Sequence, residues 1–241
     1  MRDTFSNFNE MLDCVQERGF LPFFTNEIPQ FSIEELCPSE LWYHDTGFEN
    51  GTLLWAAWEW KGPAIVEGDL AYGKFFRGKA GFVSMEWFPD FVNVRRATAA
   101  LTDVERAMLE LLRSRGSLLS GEIKREMGLT KPKTPRQTPL AKVLEKETPR
   151  SRQRSGRENF ETAITRLQMS THVVTADFEY RYDRTGRRYG WGIARYCTPE
   201  DFFGADRLAC PRTPEESRAR ILAHLRQILP QASDRVLDRL I

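Results

Sequence analysis

The sequence predicts an α+β fold, mainly helical with short β-ribbons, and three observations within residues 102–196 carry the prediction. First, the capping box Thr102-Asp103-Val104-Glu105 opens a helix. Its apolar stripe is Val104, Ala107, Met108, Leu111 and Leu112, and Gly116 stops it. Second, two further short helices follow. One has Leu119, Ile123 and Met127 on its inner face and Gly128 at its end; the other, after an interruption, carries Phe160, Ala163, Ile164 and Leu167, with Arg166 and Gln168 near its end. Third, the β-rich runs 172–174 and 178–182 lead through the turn Asp183-Arg184-Thr185-Gly186 to a return over 189–196. Three short helices and a basic hairpin, in that order, make a winged helix: a helix-turn-helix with a β-hairpin wing. Most winged helices bind nucleic acid, one helix entering the major groove while the wing touches the backbone. The same fold also serves protein contacts alone, and that alternative stays open.

The flanking elements follow in chain order. Residues 1–19 read as an amphipathic helix, with Phe5, Phe8, Met11, Leu12 and Val15 on one face and Gly19 at its end. Residues 20–31 are aromatic and interrupted by Pro22 and Pro29, and Ser32-Ile33-Glu34-Glu35 caps another helix. Residues 41–62 hold four of the six tryptophans, and 71–91 alternate aromatic rings with Lys74, Arg77 and Lys79 before the β-like run Gly81-Phe82-Val83-Ser84. At the other end, Thr198-Pro199-Glu200-Asp201 and Thr213-Pro214-Glu215-Glu216 each cap a helix, and a last helix covers about 233–240. The expected organisation is an aromatic-rich α+β region over 1–100, a winged helix over 101–197 with a basic insertion at 131–157, and C-terminal helices over 198–241, the winged-helix units packed together. The segment 92–101 is too short and too poor in Gly and Pro for a flexible tether.

Charge narrows the class of partner. Thirty-five Lys and Arg against 34 Asp and Glu give a net charge of +1, so contact with nucleic acid must come from local patches rather than a global field. The insertion is one such patch: nine Lys and Arg face only Glu145 and Glu147. Its charges suit phosphates, although charge runs of this kind are also found as solvated loops. The start of the chain has no apolar run of signal-peptide type, no stretch is long and apolar enough to span a membrane, and Cys14, Cys37, Cys197 and Cys210 have no CxxC spacing. A cytoplasmic protein with reduced thiols and no membrane contact is expected. Asn50-Gly51-Thr52 matches a glycosylation sequon and is read here as a turn.

The ordinary catalytic patterns are missing. His44, His172 and His224 are far apart, with no partners at metal spacing, so neither a metal site nor a cofactor is expected. There is no nucleophile elbow and no phosphate loop. The aromatic block offers another chemistry. Trp58, Trp60, Tyr72 and Trp87 supply flat rings on which a base could stack, Glu59 and Glu86 are the carboxylates beside them, and Lys74, Arg77 and Lys79 are cations for phosphates. Large aromatics also simply fill cores, so the block reads equally as structure. On the winged helix, Arg166 and Gln168 of the third helix and Arg184, Arg187 and Arg188 of the wing are the candidate contacts to double-stranded DNA.

The run Arg77-Gly78-Lys79-Ala80-Gly81-Phe82-Val83-Ser84-Met85-Glu86-Trp87-Phe88-Pro89, followed by Leu167-Gln168-Met169, resembles the AlkZ-related proteins, small relatives of the YcaQ/AlkZ-type winged-helix DNA glycosylases. The resemblance spans 5–240 apart from the basic insertion. For the glycosylases it implies tandem winged helices and excision of alkylated bases or unhooking of crosslinks, without metal or cofactor. Those enzymes activate water with a Gln-x-Gln or Gln-x-Asp pair near the N-terminus. The segment here that is similar is Gly19-Phe20-Leu21-Pro22-Phe23-Phe24, with Pro22 and Phe24 where the polar pair stands, and a later polar position falls on Gly78-Lys79-Ala80. The expectation is a DNA-binding winged-helix protein acting at damaged or alkylated DNA. The alternatives are a glycosylase using Glu59 or Glu86 as an unusual acid, and a protein-interaction module.

Overall fold

The computed structural model describes residues 4–42, 48–49, 52–53, 56–129 and 159–241. Helix α1 (Phe8–Arg18) starts where the Asn7 side chain accepts the Glu10 N–H, and ends where the Gly19 N–H donates to the Val15 carbonyl. Gly19 has φ +73, and a Cβ there would lie 2.4 Å from Trp87 Cδ1, so only glycine suits this helix end. The chain enters β1 (Phe20–Pro22) and passes through the short helices α2 (Ile33–Leu36) and α3 (Ser39–Trp42) and the ribbon of β2 (Phe48–Glu49) and β3 (Thr52–Leu53). Helices α4 (Ala56–Glu59) and α5 (Lys61–Glu67) then lead to the hairpin of β4 (Leu70–Phe76) and β5 (Lys79–Ser84) and to α6 (Phe88–Ala97). Strand β5 is central in an antiparallel sheet of order β1-β5-β4, with Phe20 opposite Val83 and Leu70 opposite Ser84.

The second part begins at α7 (Asp103–Arg115), with the reciprocal capping box of Thr102 and Glu105 in place. Strand β6 (Ser117–Leu119), α8 (Ser120–Glu126), α9 (Phe160–Met169), β7 (Val174–Tyr182) and β8 (Arg188–Cys197) follow. The antiparallel order is β6-β8-β7, with Ser117 and Val174 both opposite Cys197. The hairpin turns where sequence places it: the Asp183 carboxylate accepts the N–H groups of Thr185 at 2.8 Å and Arg187 at 3.0 Å, and Gly186 takes φ +78. Helices α10 (Pro199–Phe203), α11 (Ala205–Leu208), α12 (Pro214–Ile228) and α13 (Asp234–Asp238) close the chain.

Two hydrophobic clusters result. The larger joins Phe20, Phe75, Phe82, Phe88 and Phe91 to Ile221 and Leu225 of α12 and Leu237 of α13, so the last forty residues pack on the first hundred. The smaller holds Met108, Leu109, Leu112, Ile123, Phe160, Ile164 and Leu167 of α7, α8 and α9; Ala107, expected on the α7 stripe, is exposed, and Leu109 is buried instead. A polar clasp fastens α12 to α6. Asp90 is fully buried and takes hydrogen bonds from Arg212 at 2.6 and 2.9 Å, from Ser217 at 2.7 Å and from Arg220. Burial pushes the Asp90 carboxyl up, but these donors outweigh it and hold it down at about 2.

Two local expectations change. Leu119 lies in β6 and at the N-cap of α8 instead of on the helix, because residues 117–119 find their hydrogen bonds on β8, some 75 residues away. A three-residue strand has no period that sequence could display. The first helix starts at Phe8, yet Phe5 is still buried, its N–H donating to the Leu36 carbonyl. Among the described residues no helix is long and apolar enough to cross a membrane, and no group of His, Cys, Asp or Glu could hold a metal ion. Asn50-Gly51, Trp55 and the basic insertion 131–157 lie outside the described residues.

Candidate functional site

A cavity of about 320 Å³ opens between the first sheet and the β7–β8 hairpin. Five aromatic side chains stand on its walls: Phe24, Trp58, Tyr72, Phe178 and Tyr196. Tyr72 meets Phe178 edge-on at 5.9 Å, and Trp58 lies 6.1 Å from Phe24. Burial raises Tyr196 to about 12 and raises Tyr72 well above the ordinary phenol value, so both hydroxyls stay protonated and can donate to a ligand. The volume falls at the small end of pockets that take organic ligands, about 300–1,000 Å³.

Three lysines belong to this cavity. Lys79 is exposed and donates to the Thr25 carbonyl at 3.3 Å. Lys74 donates from Nζ to Thr165 on α9 at 3.3 Å. Lys61 is 1% exposed. Its Nζ donates to the Trp58 carbonyl at 2.9 Å and lies 4.0 Å from the Trp58 ring and 4.5 Å from the Phe178 ring. Burial lowers Lys61 from 10.5 to about 7, with Glu59 opposing the shift and Arg188 adding to it. The amine therefore gives up its proton far more readily than an ordinary lysine, and the neutral form is the one in which a lysine is a nucleophile.

Glu59 is clamped beside the cavity. Arg188 donates to its two carboxylate oxygens at 2.7 and 2.8 Å, and the Tyr180 hydroxyl donates at 3.1 Å. The guanidinium of Arg188 also lies flat on the Tyr180 ring at 3.4 Å. Burial raises the Glu59 carboxyl, but the Arg188 hydrogen bonds and charge prevail and hold it below its ordinary value. The clamp ties α4 to the hairpin.

The remaining candidates from sequence are scattered. Gln168 is buried and lines the cavity, but its amide is a bracket: Oε1 accepts the Lys74 N–H and Nε2 donates to the Ile164 carbonyl, both at 3.1 Å. Arg166 forms an ion pair with buried Glu105 at 3.0 Å. Arg77 pairs with Glu27, which Arg239 also holds, at 2.6 Å. Arg184 and Arg187 stand exposed on the hairpin turn. Trp60 packs on Phe5 and Phe8, away from the cavity. Trp87 is also elsewhere, stacked on His224 at 4.1 Å with Arg220 over its ring at 3.8 Å, and exposed Glu86 pairs with the same arginine. The rings at 60 and 87 are thus used for packing, and only Trp58 and Tyr72 of the four reach the cavity.

Sequence reasoning missed Lys61, Phe178 and Tyr196 as lining residues. A signal for Lys61 existed. With Ala57, Ala64 and Ile65 it completes a buried stripe at helical spacing, so a lysine occupies an apolar slot. A second cavity of about 520 Å³ lies beyond Phe24 and Lys79, which line both; Pro22, Ile28 and Phe76 are among its walls. Pro22 and Phe24 therefore both face open space.

A family model described as "AlkZ related" matches residues 5–241. No curated protein and no solved structure matches the chain.

Proposed function

Because the chain belongs to the AlkZ-related family, we propose that it is a winged-helix DNA-binding protein that recognises damaged duplex without excising a base. Residues 101–197 form the winged helix in this reading, with β6, β7 and β8 as its sheet and the 183–187 turn as the tip of its wing. Residues 1–100 supply the far wall of the cavity. The exposed Arg184 and Arg187 and the basic insertion 131–157 meet phosphates, and Lys74 and Lys79 hold the backbone at the cavity mouth. The aromatic walls accept a flat, base-sized ring.

The observation that carries this reading is the pair Pro22 and Phe24, Phe24 on the wall of the cavity and Pro22 on that of its larger neighbour. Hydrolysis of a glycosidic bond needs a polar group to position water and to stabilise a developing positive sugar. A proline ring and a phenyl ring offer neither. Nor do the carboxylates replace them. Both oxygens of Glu59 are taken by Arg188, and Glu86 pairs with Arg220 away from the cavity.

Two measurements test the proposal. A mobility-shift series over salt should show affinity falling steeply with ionic strength, as phosphate contacts require; weak binding without salt dependence would favour a protein-interaction module. A single-turnover assay with protein in excess over alkylated duplex should release bases no faster than the spontaneous rate. Faster release, abolished by Glu59→Gln or Glu86→Gln, would establish a glycosylase instead.

A further inference from the structure

Among the described residues Lys61 is the one lysine withdrawn from solvent, and nothing in the binding reading above uses its amine. It is the first residue of α5, and the preceding turn aims its Nζ at the Trp58 carbonyl, between the Trp58 and Phe178 rings. A lysine kept for charge alone is poorly placed there. A phosphate drawn into an aromatic cage would lose its hydration for a single amine, at a large cost in desolvation. A neutral, electrophilic carbon suffers no such penalty, and a lysine desolvated in an apolar pocket is the type of amine that forms Schiff bases with carbonyls.

We propose that Lys61 attacks the C1′ aldehyde of an abasic deoxyribose in duplex DNA and holds that sugar in the cavity as an imine. The inference rests on the DNA-binding reading above and adds to it a substrate and a covalent step. An abasic sugar suits the site. It is small enough for about 320 Å³, it is uncharged at the reacting carbon, and its flanking phosphates remain at the rim, where Lys74 and Lys79 stand.

The chemistry balances without oxidant, metal or cofactor. In the ring-opened sugar the Nζ lone pair forms a bond to C1′, and the carbonyl π electrons move to oxygen. A proton passes from nitrogen to that oxygen, giving a carbinolamine. The nitrogen then loses its second proton, the hydroxyl departs, and one water and a C=N bond result. Hydrolysis reverses each step and frees the enzyme. The substrate must come from a reaction that cleaves an N-glycosidic bond, which places this protein after base loss and agrees with apolar residues at Pro22 and Phe24.

The test traps the imine. The unaltered full chain is incubated with a duplex carrying one abasic site while sodium cyanoborohydride reduces C=N to a stable amine, and the linked peptide is identified by mass. The expected adduct is on Lys61, and its yield falls roughly tenfold or more in Lys61→Arg and Lys61→Met. Mapping on the unaltered chain keeps the result decisive even if a variant folds poorly. No adduct, or an adduct confined to Lys74, Lys79 or the N-terminal amine, overturns the inference. A shift assay on the same duplex, without reductant, separates the two readings: binding without a Lys61 adduct refutes the covalent step alone, and no binding refutes both.

Discussion

Replacing Lys61 with Met should make the protein more stable at mildly acid pH and erase part of its pH dependence. In the folded chain burial brings Lys61 to about 7, against 10.5 for the ordinary amine. Between those values the unfolded chain binds a proton at this position that the folded chain does not, so folding gains with rising pH. Below about 7 the folded chain must carry the buried charge, and the whole penalty stands. At about 1.4 kcal/mol per unit the penalty is roughly 5 kcal/mol. The Trp58 and Phe178 rings at 4.0 and 4.5 Å favour the cation and trim this by about 1–2 kcal/mol. Met fills the same space with an unbranched apolar chain, and loss of the donor to the Trp58 carbonyl costs about 1 kcal/mol. At about pH 6 the variant should therefore be roughly 2 kcal/mol the more stable, and the wild type should recover about 1.4 kcal/mol per pH unit above neutrality. The charges acting on the amine are Glu59 on α4 and Arg188 on the hairpin; Tyr72 and Lys74 on β4 and Tyr196 on the hairpin line the same cavity, and Tyr180 holds Glu59. Glu59 is held below its ordinary value, while Tyr180 at about 12, Tyr72 and Arg188 are raised, so none of these four titrates in that window. Urea unfolding followed by far-ultraviolet circular dichroism at about pH 6, 7.5 and 9 measures the difference. A wild-type-minus-variant difference that is flat with pH would refute the depressed amine.

Asp90→Ala leaves Arg212 and Arg220 without their shared buried acceptor, and should cost about 3 kcal/mol, read as a lower urea midpoint with an unchanged slope. Arg184→Ala and Arg187→Ala should each lower the salt slope of DNA binding by about one and weaken all duplexes alike, since phosphate contacts carry no base information. Unequal losses on different sequences would point to base contacts instead. Deleting residues 131–157 should also weaken binding evenly and flatten the salt slope, and unchanged affinity at low salt would make the insertion a bystander.

The helix ends and the hairpin were legible because their causes are local. Thr102 and Thr213 each find their capping glutamate three residues on, and the Asp183 turn closes through its own side chain. The cavity was half legible. Trp58, Tyr72, Lys74 and Lys79 come from the aromatic block, but Phe178, Ala194 and Tyr196 come from a hairpin about a hundred residues later, and nothing in either stretch announces the other. Long-range pairing also decides which rings are free. Trp87 is indistinguishable from Trp58 by composition, yet the His224 ring covers one and a cavity faces the other. Gln168 shows the same limit. Its place near the end of α9 suggested a DNA contact, but that helix turns it inward onto β4, where the backbone of Lys74 claims its carbonyl.

The cavity stands between the two hydrophobic cores, which bears on how binding to it is felt. Phe24, Trp58 and Tyr72 belong to the larger core; Ala194 and Tyr196 belong to the smaller. The hairpin that carries the last two also carries Arg188, which holds Glu59, and Trp191, which is 64% exposed with its ring 6.1 Å from Trp58. A ring or sugar that enters against Trp58 therefore presses on the same element whose tip displays Arg184 and Arg187. Where binding at one of these places changes affinity at the other, the change is reciprocal. In the function proposed above, recognition of damage needs no catalysis: an intact duplex would offer only the phosphate contacts, whereas a duplex with an unpaired or missing base would also offer a ring or sugar to the cavity.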